Sequence, residues 1–301
     1  MKKKLLLVLL LCFSLSIFMV GCGNGGQSTP PPDENSDDAT DPVETAVSYV
    51  VLDENFGKEE FGIGFRQGEQ ALANEVQRIL IEMKADGTAA PIGMKWFDAD
   101  VLLVPDSDYE FPEVAADDSS LQDVLDRGYI ILGLDDSFPP MGFRDTATDE
   151  IVGFDIDLAN EVATRMGVEL RIQPVIWDSV IMELTNKNID LIWNGMTITE
   201  ERQQKILCSF PYMADSQIIV TMSNSGISTK ADLADKTVGI QAGSSAMEAV
   251  KKDEATYESI GSFAEFDSND LAMLDLKNGG CAAVVIDEVT GRYFIAKDTV
   301  E

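Results

Sequence analysis

Arg202 follows a helix-opening signal, Thr199-Glu200-Glu201, which itself comes after a strand-like run at 189–193 and a small-residue turn at Asn194 and Gly195. Thr is a preferred helix cap, and the two glutamates suit the positive end of the helix dipole. Loops that lead from a strand into a helix are where open α/β sheets bind ligands. A guanidinium at that point, beside the Thr197 hydroxyl and the unobstructed backbone of Asn194 and Gly195, has the fork geometry for a carboxylate. An arginine early in a helix also suits plain solvated surface, so spacing alone leaves both readings open.

Composition limits what chemistry the rest of the chain can add. There is no His, which excludes Ser-His-Asp hydrolysis, Cys-His proteolysis and His-based metal sites and leaves carboxylate, Lys or Ser-Lys chemistry. The 53 acidic and 22 basic residues give a formal net charge of −31, so nucleic acid and anionic lipid surfaces are poor partners. The 301 residues, 45% of them hydrophobic, suffice for one large or two modest domains with a core. No catalytic residue, metal site or cofactor is expected.

The N-terminus reads as an address. Lys2, Lys3 and Lys4, the apolar run 5–20 and Gly21-Cys22 form an export signal over 1–21. Met19-Val20-Gly21-Cys22 resembles the bacterial lipobox, which implies Cys22 as a lipidated first residue and a location on the extracytoplasmic face of the cell membrane. Residues 22–44 are Gly- then Pro-rich, and their acids (Asp33, Glu34, Asp37, Asp38, Asp41, Glu44) come without a base, as expected of a solvated tether. Cys208 and Cys281 either pair in an oxidising compartment or stay as buried free thiols.

The elements that must position Arg202 follow in order. Strands are expected at 49–52 and 61–65, then a helix with Leu72, Val76, Ile79, Leu80 and Met83 on one face, stopping at Gly87, and a short amphipathic piece ending in Lys95-Trp96-Phe97. Residues 105–120 are again acidic and poor in apolar groups and read as a second linker. The unit between the two acidic stretches is marginal alone and must dock on something. From 121 strand and helix alternate. Strands fall at 129–133, 169–173, 189–193, 217–222, 237–241 and 282–286; Asp155 caps a helix with Leu158, Val162 and Met166 inward, and Asp270 caps 271–277. Such alternation implies parallel sheets covered on both faces.

Six motifs in this order carry a resemblance. They are the loop 134–143 (Leu-Asp-Asp-Ser-Phe-Pro-Pro-Met-Gly-Phe), the helix start 152–159, the loop 193–202, the crossover Ser209-Phe210-Pro211-Tyr212, the loop 238–245 and the strand 283–287 ending at Asp287. Over 121–301 the chain resembles the polar-amino-acid family of bacterial extracellular solute-binding proteins, the capture subunits of ABC importers. That resemblance implies an α/β, two-lobed, type II periplasmic-binding-protein fold, each lobe a mostly parallel sheet flanked by helices, closing on a free amino acid. It implies Arg202 on the α-carboxylate, helped by Thr197 and by the backbone N–H groups of Ser244 and Ser245 after Gly243. Asp287 in the other lobe pairs the ammonium, and Gly195 offers a close carbonyl. Phe138 and Trp177 cover the ligand side chain, and Asp135, Asn194 and Met196 complete the lining. Asp287 also suits a plain helix cap, and the two aromatics plain core packing.

Family members continue past a point like Glu301 with a crossing strand, an aromatic-Gly-Ile strand, a long helix and a closing Lys-Trp-Phe. Here those pieces stand at the front. The chain therefore resembles a circular permutation of the family, with 105–120 joining the old ends, 45–54 and 215–301 forming the small lobe, and 55–104 and 121–214 the large one. The expected partners are a free amino acid, the membrane permease of an ABC importer and the membrane through lipid on Cys22, with the chain itself a monomer. Three readings compete: a cyclic-acid dehydratase on the same fold, weakened by the absence of His; a sensory module, which needs a transmembrane output; and tandem truncated domains, although no element of one domain occurs twice.

Overall fold

The computed structural model describes residues 47–298 apart from 107, and one strand, β1 (Tyr49–Phe65, 17 residues), runs the length of its sheet. The two short strands expected at 49–52 and 61–65 are the ends of this single element. Register shifts between Val51 and Asn55, and again between Asn55 and Lys58, let the polar interval bulge without breaking the pairing. From Phe61 onward Phe61, Ile63 and Phe65 are fully buried.

Helices α1 (Gln70–Ala85), α2 (Ala89–Phe97) and α3 (Ser120–Arg127) follow, then β2 (Tyr129–Leu134). A small separate sheet comprises β3 (Ser137–Phe138), β4 (Gly142–Arg144) and β5 (Ile151–Val152). Next come α4 (Phe154–Met166), β6 (Glu169–Pro174), α5 (Val180–Thr185), β7 (Leu191–Thr197), α6 (Glu200–Lys205), β8 (Leu207–Cys208) and β9 (Met213–Met222). The chain ends with β10 (Thr237–Gln241), α7 (Ala246–Lys252), α8 (Glu254–Ser259), β11 (Ser262–Phe266), α9 (Asn269–Lys277), β12 (Ala283–Asp287) and α10 (Glu288–Asp298).

Among the described residues the main sheet has nine strands in the order β11-β10-β12-β9-β1-β7-β2-β6, with β8 also on β1. Its two ends are parallel, β10 with β11 and β12, and β2 with β6 and β7. The middle is antiparallel, because β1 and β9 pair along their length as they cross between the ends. This is a two-lobed α/β fold. One lobe gathers on β2, β6 and β7, with a core on each sheet face, around Phe154 and Leu132 on one side and Ile189 and Met196 on the other. The second gathers on β10, β11 and β12, likewise with a core on each face.

α1 buries the face its periodicity predicts, Leu72, Val76, Ile79, Leu80 and Met83, in the same core as Leu132 and Phe154. Residues 105–119 carry no helix or strand among the described residues, and the stretch is docked at both its aromatic and its acidic positions. Asp118 Oδ2 accepts from the Ala71 N–H at 2.7 Å and Ser120 Oγ from the Leu72 N–H at 3.1 Å, which satisfies the otherwise unpaired start of α1. Tyr109 stands edge-on to Phe210 at 5.7 Å. An acidic, aperiodic stretch is here a tailored helix cap.

Two expected caps shift. Asp155 lies inside α4, which Gly153 precedes, and its side chain turns into the core; Ser268, not Asp270, precedes α9. Cys208 and Cys281 are free thiols. The expected export signal, Cys22, the tether to residue 44 and Glu301 lie outside the described residues. No helix among the described residues is long and apolar enough to cross a membrane.

Because α1 is built into this core, Leu80→Ala, at a position with no exposure, should cost about 2–5 kcal/mol in urea unfolding. Met94→Ala, 51% exposed on α2, should change stability by no more than about 0.5 kcal/mol.

Candidate functional site

β7 ends at Thr197, and Thr199 starts α6 by accepting a hydrogen bond from the Arg202 N–H at 3.2 Å. That cap fixes where the Arg202 side chain leaves the backbone. The buried guanidinium donates from Nη1 to the Thr197 carbonyl at 2.8 Å and from Nη2 to the Gly243 carbonyl at 3.0 Å. Thr197 belongs to one lobe and Gly243 to the other, so Arg202 spans the cleft. Trp177 lies 5.6 Å from its guanidinium carbon, within cation–π reach. Burial lowers the Arg202 pKa, and the charges of Asp287 and Glu59 act against that shift.

Facing it, β12 ends at Asp287, which pairs in register with Gln217 of β9. Burial, with the neighbouring Glu59 charge next in size, pushes the Asp287 carboxyl up to about 7, while Gln217 and Arg202 pull the other way. Glu59, on β1, places Oε2 where the Thr197 hydroxyl donates at 2.8 Å, the Ser245 hydroxyl at 2.9 Å and Gln217 Nε2 at 3.1 Å. Glu59 and Gln217 were not among the residues expected from sequence. No local signal singles Glu59 out: Lys58, Glu59 and Glu60 are all charged, and only the fold shows that the middle one is sheltered while its neighbours are exposed.

The far wall is also polar. Asp135 Oδ1 accepts from the Ser137 N–H and hydroxyl at 2.9 and 2.6 Å, and Oδ2 accepts from Gln241 Nε2, in the other lobe, at 2.6 Å. Asn269 Nδ2 in turn donates to Gln241 Oε1 at 2.8 Å. Burial raises the Asp135 pKa, and the Ser137 and Gln241 hydrogen bonds partly offset it. Gln241 is a third residue that sequence reasoning missed, since a Gln at a strand end carries no distinctive pattern.

One cavity draws these groups together, lined by Asp135, Phe138, Trp177, Asn194, Gly195, Thr197, Arg202, Gln241, Ser244, Ser245 and Asp287. Its volume is about 10 Å³, room for about one water. An amino acid does not fit in that space as the side chains stand. Gly243 adds the carbonyl that meets Arg202, and its φ of +70° and close approach, 2.7 Å from an added Cβ to Asp178 Cα, admit no side chain. Gly195, at φ +57°, likewise leaves room for Phe138, whose ring a Cβ would meet at 2.6 Å.

Two expected lining residues do other work. Met196 is fully buried in the core with Ile189, Ile192 and Ile206 and does not line the cavity, because strand alternation turns it away from the face that Gly195 and Thr197 share. Asn194 borders the cavity, but its amide is engaged with backbone: Oδ1 accepts from the Asp135 N–H at 3.1 Å and Nδ2 donates to the Gly142 carbonyl at 3.3 Å. Beneath the loop, Asp155 Oδ2 accepts from the Gly195 N–H and the Tyr212 hydroxyl, both at 2.8 Å. This carboxyl is fully buried, and desolvation raises its pKa to about 7.

Residues 130–284 match the family model described as bacterial extracellular solute-binding proteins, family 3. The L-cystine-binding protein TcyJ of Escherichia coli is 29% identical over 184 residues, 60% of this chain and 67% of that protein. The arginine-binding extracellular protein ArtP of Bacillus subtilis is 32% identical over 175 residues, 57% of this chain and 66% of that one. The chain thus spans about two thirds of the length of these relatives. Among solved structures, truncated arginine-bound ArgBP from T. maritima is 42% identical with a TM-score of 0.55, covering 59% of this chain and 82% of that chain.

Asp155 gives stability a definite pH dependence. An unfolded aspartate carboxyl ionises near 3.8, whereas the folded one holds its proton to about 7. The folded state therefore binds the extra proton between these values, and stability falls as pH rises through that window, by up to about 1.4 kcal/mol per pH unit. Unfolding midpoints measured from pH 4 to 8 should decline over that range, and less steeply for Asp155→Asn.

Proposed function

The chain belongs to the bacterial extracellular solute-binding proteins, family 3, and from that premise we propose that it captures a free amino acid between its lobes and delivers it to the membrane permease of an ABC importer. The observation that carries this reading is the pair of buried opposite charges, Arg202 and Asp287, on opposite lobes and lining one cavity. An α-amino acid carries the complementary two charges on groups attached to one carbon. Arg202 and the backbone at Ser244 and Ser245 take the carboxylate, and Asp287 takes the ammonium. The role is binding, not catalysis.

The buried Asp135 carboxylate at the far wall favours a ligand with a cationic side chain, and Phe138 and Trp177 supply apolar walls for its stem. ArtP and ArgBP are named for arginine, which makes L-arginine the first compound to test. Export by the signal over 1–21, lipid on Cys22 and the acidic tether over 22–44 would hold the protein, as a monomer, at the outer face of the membrane.

We also read the chain as a circular permutation of its family, with the lobe boundaries expected above. In support, β1, α1 and α2 stand outside the matched residues 130–284 yet provide a crossing strand and part of a core. Tyr49 and Asp298 border the same groove, so the two ends of the described chain are near enough to join. A rearranged chain that begins at Asp117, and so keeps the Asp118 and Ser120 contacts with α1, and carries 45–104 behind Glu301 should fold and bind as the parent does. Failure to fold in every joining length tested would count against the permutation.

Calorimetry against the common L-amino acids should show micromolar or tighter binding to at least one with a cationic side chain; no heat with any of them would overturn the amino-acid reading. Arg202→Ala and Asp287→Ala should each weaken binding by at least about thirtyfold, because a buried ligand charge left unpaired costs about 2–5 kcal/mol.

A further inference from the structure

The Glu59 carboxylate lies where four segments meet. Thr197 comes from one lobe and Ser245 from the other, while Glu59 and Gln217 sit on the two crossing strands β1 and β9. Three donors from these segments converge on the single oxygen Oε2, at 2.8, 2.9 and 3.1 Å, the arrangement of an ionised carboxylate, which only accepts.

A hydroxyl has one proton to give. With both protons directed at Glu59, Thr197 and Ser245 turn lone pairs toward the cavity they line. Their own contact, at 3.1 Å, then has no proton left to carry it. Gln217 is similarly committed: Nε2 also reaches Ser245 Oγ at 3.2 Å, so both its amide protons are engaged, and it pairs in register with Asp287. Strand order confirms the row, since β12, β9, β1 and β7 are consecutive neighbours and contribute Asp287, Gln217, Glu59 and Thr197 in turn.

We propose that Glu59 is a ligand-positioning residue that sets the polarity of the cleft: by taking the hydroxyl protons of Thr197 and Ser245 it makes both hydroxyls acceptors for the ligand's amino group. The part of the cavity on the Asp287 side becomes an all-acceptor subsite for a cation, and the anion is left to Arg202 and the backbone at Ser244 and Ser245, without the help of the Thr197 hydroxyl that the resemblance implies. An ammonium has three donors to place; Asp287, Thr197 and Ser245 offer three acceptors. The inference rests on the amino-acid reading and adds that selection for the amino group depends on a residue outside the cavity lining.

The test compares L-arginine with its deamino analogue, 5-guanidinopentanoate, on the parent chain and Glu59→Gln, by calorimetry and by ligand-observed NMR for millimolar affinities. If the parent prefers another of the common amino acids, that compound and its own deamino acid take their place. The variant removes the charge and offers the two hydroxyls only a weaker, neutral amide acceptor beside an NH2 donor, so the ratio of affinities for the two compounds should fall by at least about tenfold, about 1.4 kcal/mol, with the deamino acid bound within about threefold of its parent value. Equal weakening of both compounds would mean a structural role and overturn the proposal, as would an unchanged ratio. Should Glu59→Gln fail to fold, Ser245→Ala, which deletes one acceptor and keeps the charge, must lower the same ratio, and an unchanged ratio there also overturns it. A parent silent toward all the common amino acids overturns the amino-acid reading itself.

Discussion

Taking a guanidinium and a carboxylate out of water costs several kcal/mol for each ion, and their mutual attraction recovers it only when geometry and hydrogen bonding are good. This constraint governs the cleft. Arg202 and Asp287 are both buried, and the surroundings of each are arranged to lower that cost. Two carbonyl dipoles and an aromatic face meet the guanidinium. Gln217 stands beside the carboxylate, whose raised pKa shows that burial still outweighs the help it receives. Neither ion would be stable in such a place in a rigid, permanently closed protein without a further counter-charge. A two-lobed body solves the problem, because opening the lobes returns both ions to water.

The opening has to be carried by β1 and β9, the antiparallel pair that passes through both lobes. Paired strands resist shear, so bending must be concentrated where the ladder is irregular. β1 has its register shifts at Val51 to Lys58, and a further one against β7 between Gly62 and Gly64. Glu59 and Gln217 sit on this ribbon, between the lobes, with their side chains toward the ligand cavity's hydroxyls. Glu59 therefore lies between the two irregular stretches of β1, next to the bending region and not within it. A change in the hinge angle moves Thr197 and Ser245 relative to Glu59 and so alters the donors and acceptors that the cavity presents.

Much of this was legible in the sequence where the signal is local. The α1 face, the Thr199 cap and the position of Arg202 follow from periodicity and capping chemistry, which need only a few neighbouring residues. The misreadings share a cause of the opposite kind. Met196 was placed in the site by its position in a motif, although alternation on β7 sends it to the core. Asp155 reads as a cap by residue type, yet it supports Gly195 from beneath. Residues 105–120 have no period, and only the docked α1 shows that Asp118 and Ser120 close its first turn. Glu59 and Gln217 meet across 158 positions of sequence; no window shorter than the fold can display that pairing.

Three hydrogen bonds that span the cleft involve groups assigned to the ligand or to its immediate support: Arg202 to the Gly243 carbonyl, Gln241 to Asp135, Ser245 to Glu59. The closed arrangement is thus stabilised by hydrogen bonds that a bound amino acid would partly replace. Affinity is then a difference between the ligand's contacts and the protein's own, and it is scaled by how much of the population is open to entry. Strong internal contacts weaken binding, and very weak ones leave the lobes apart and the buried charges hydrated. Arg202 shows the balance in one residue. Its two bonds run to neutral carbonyls, each weaker than the charge-assisted fork a carboxylate would give it, so an arriving carboxylate displaces them with a net gain while the lobes can still close without one.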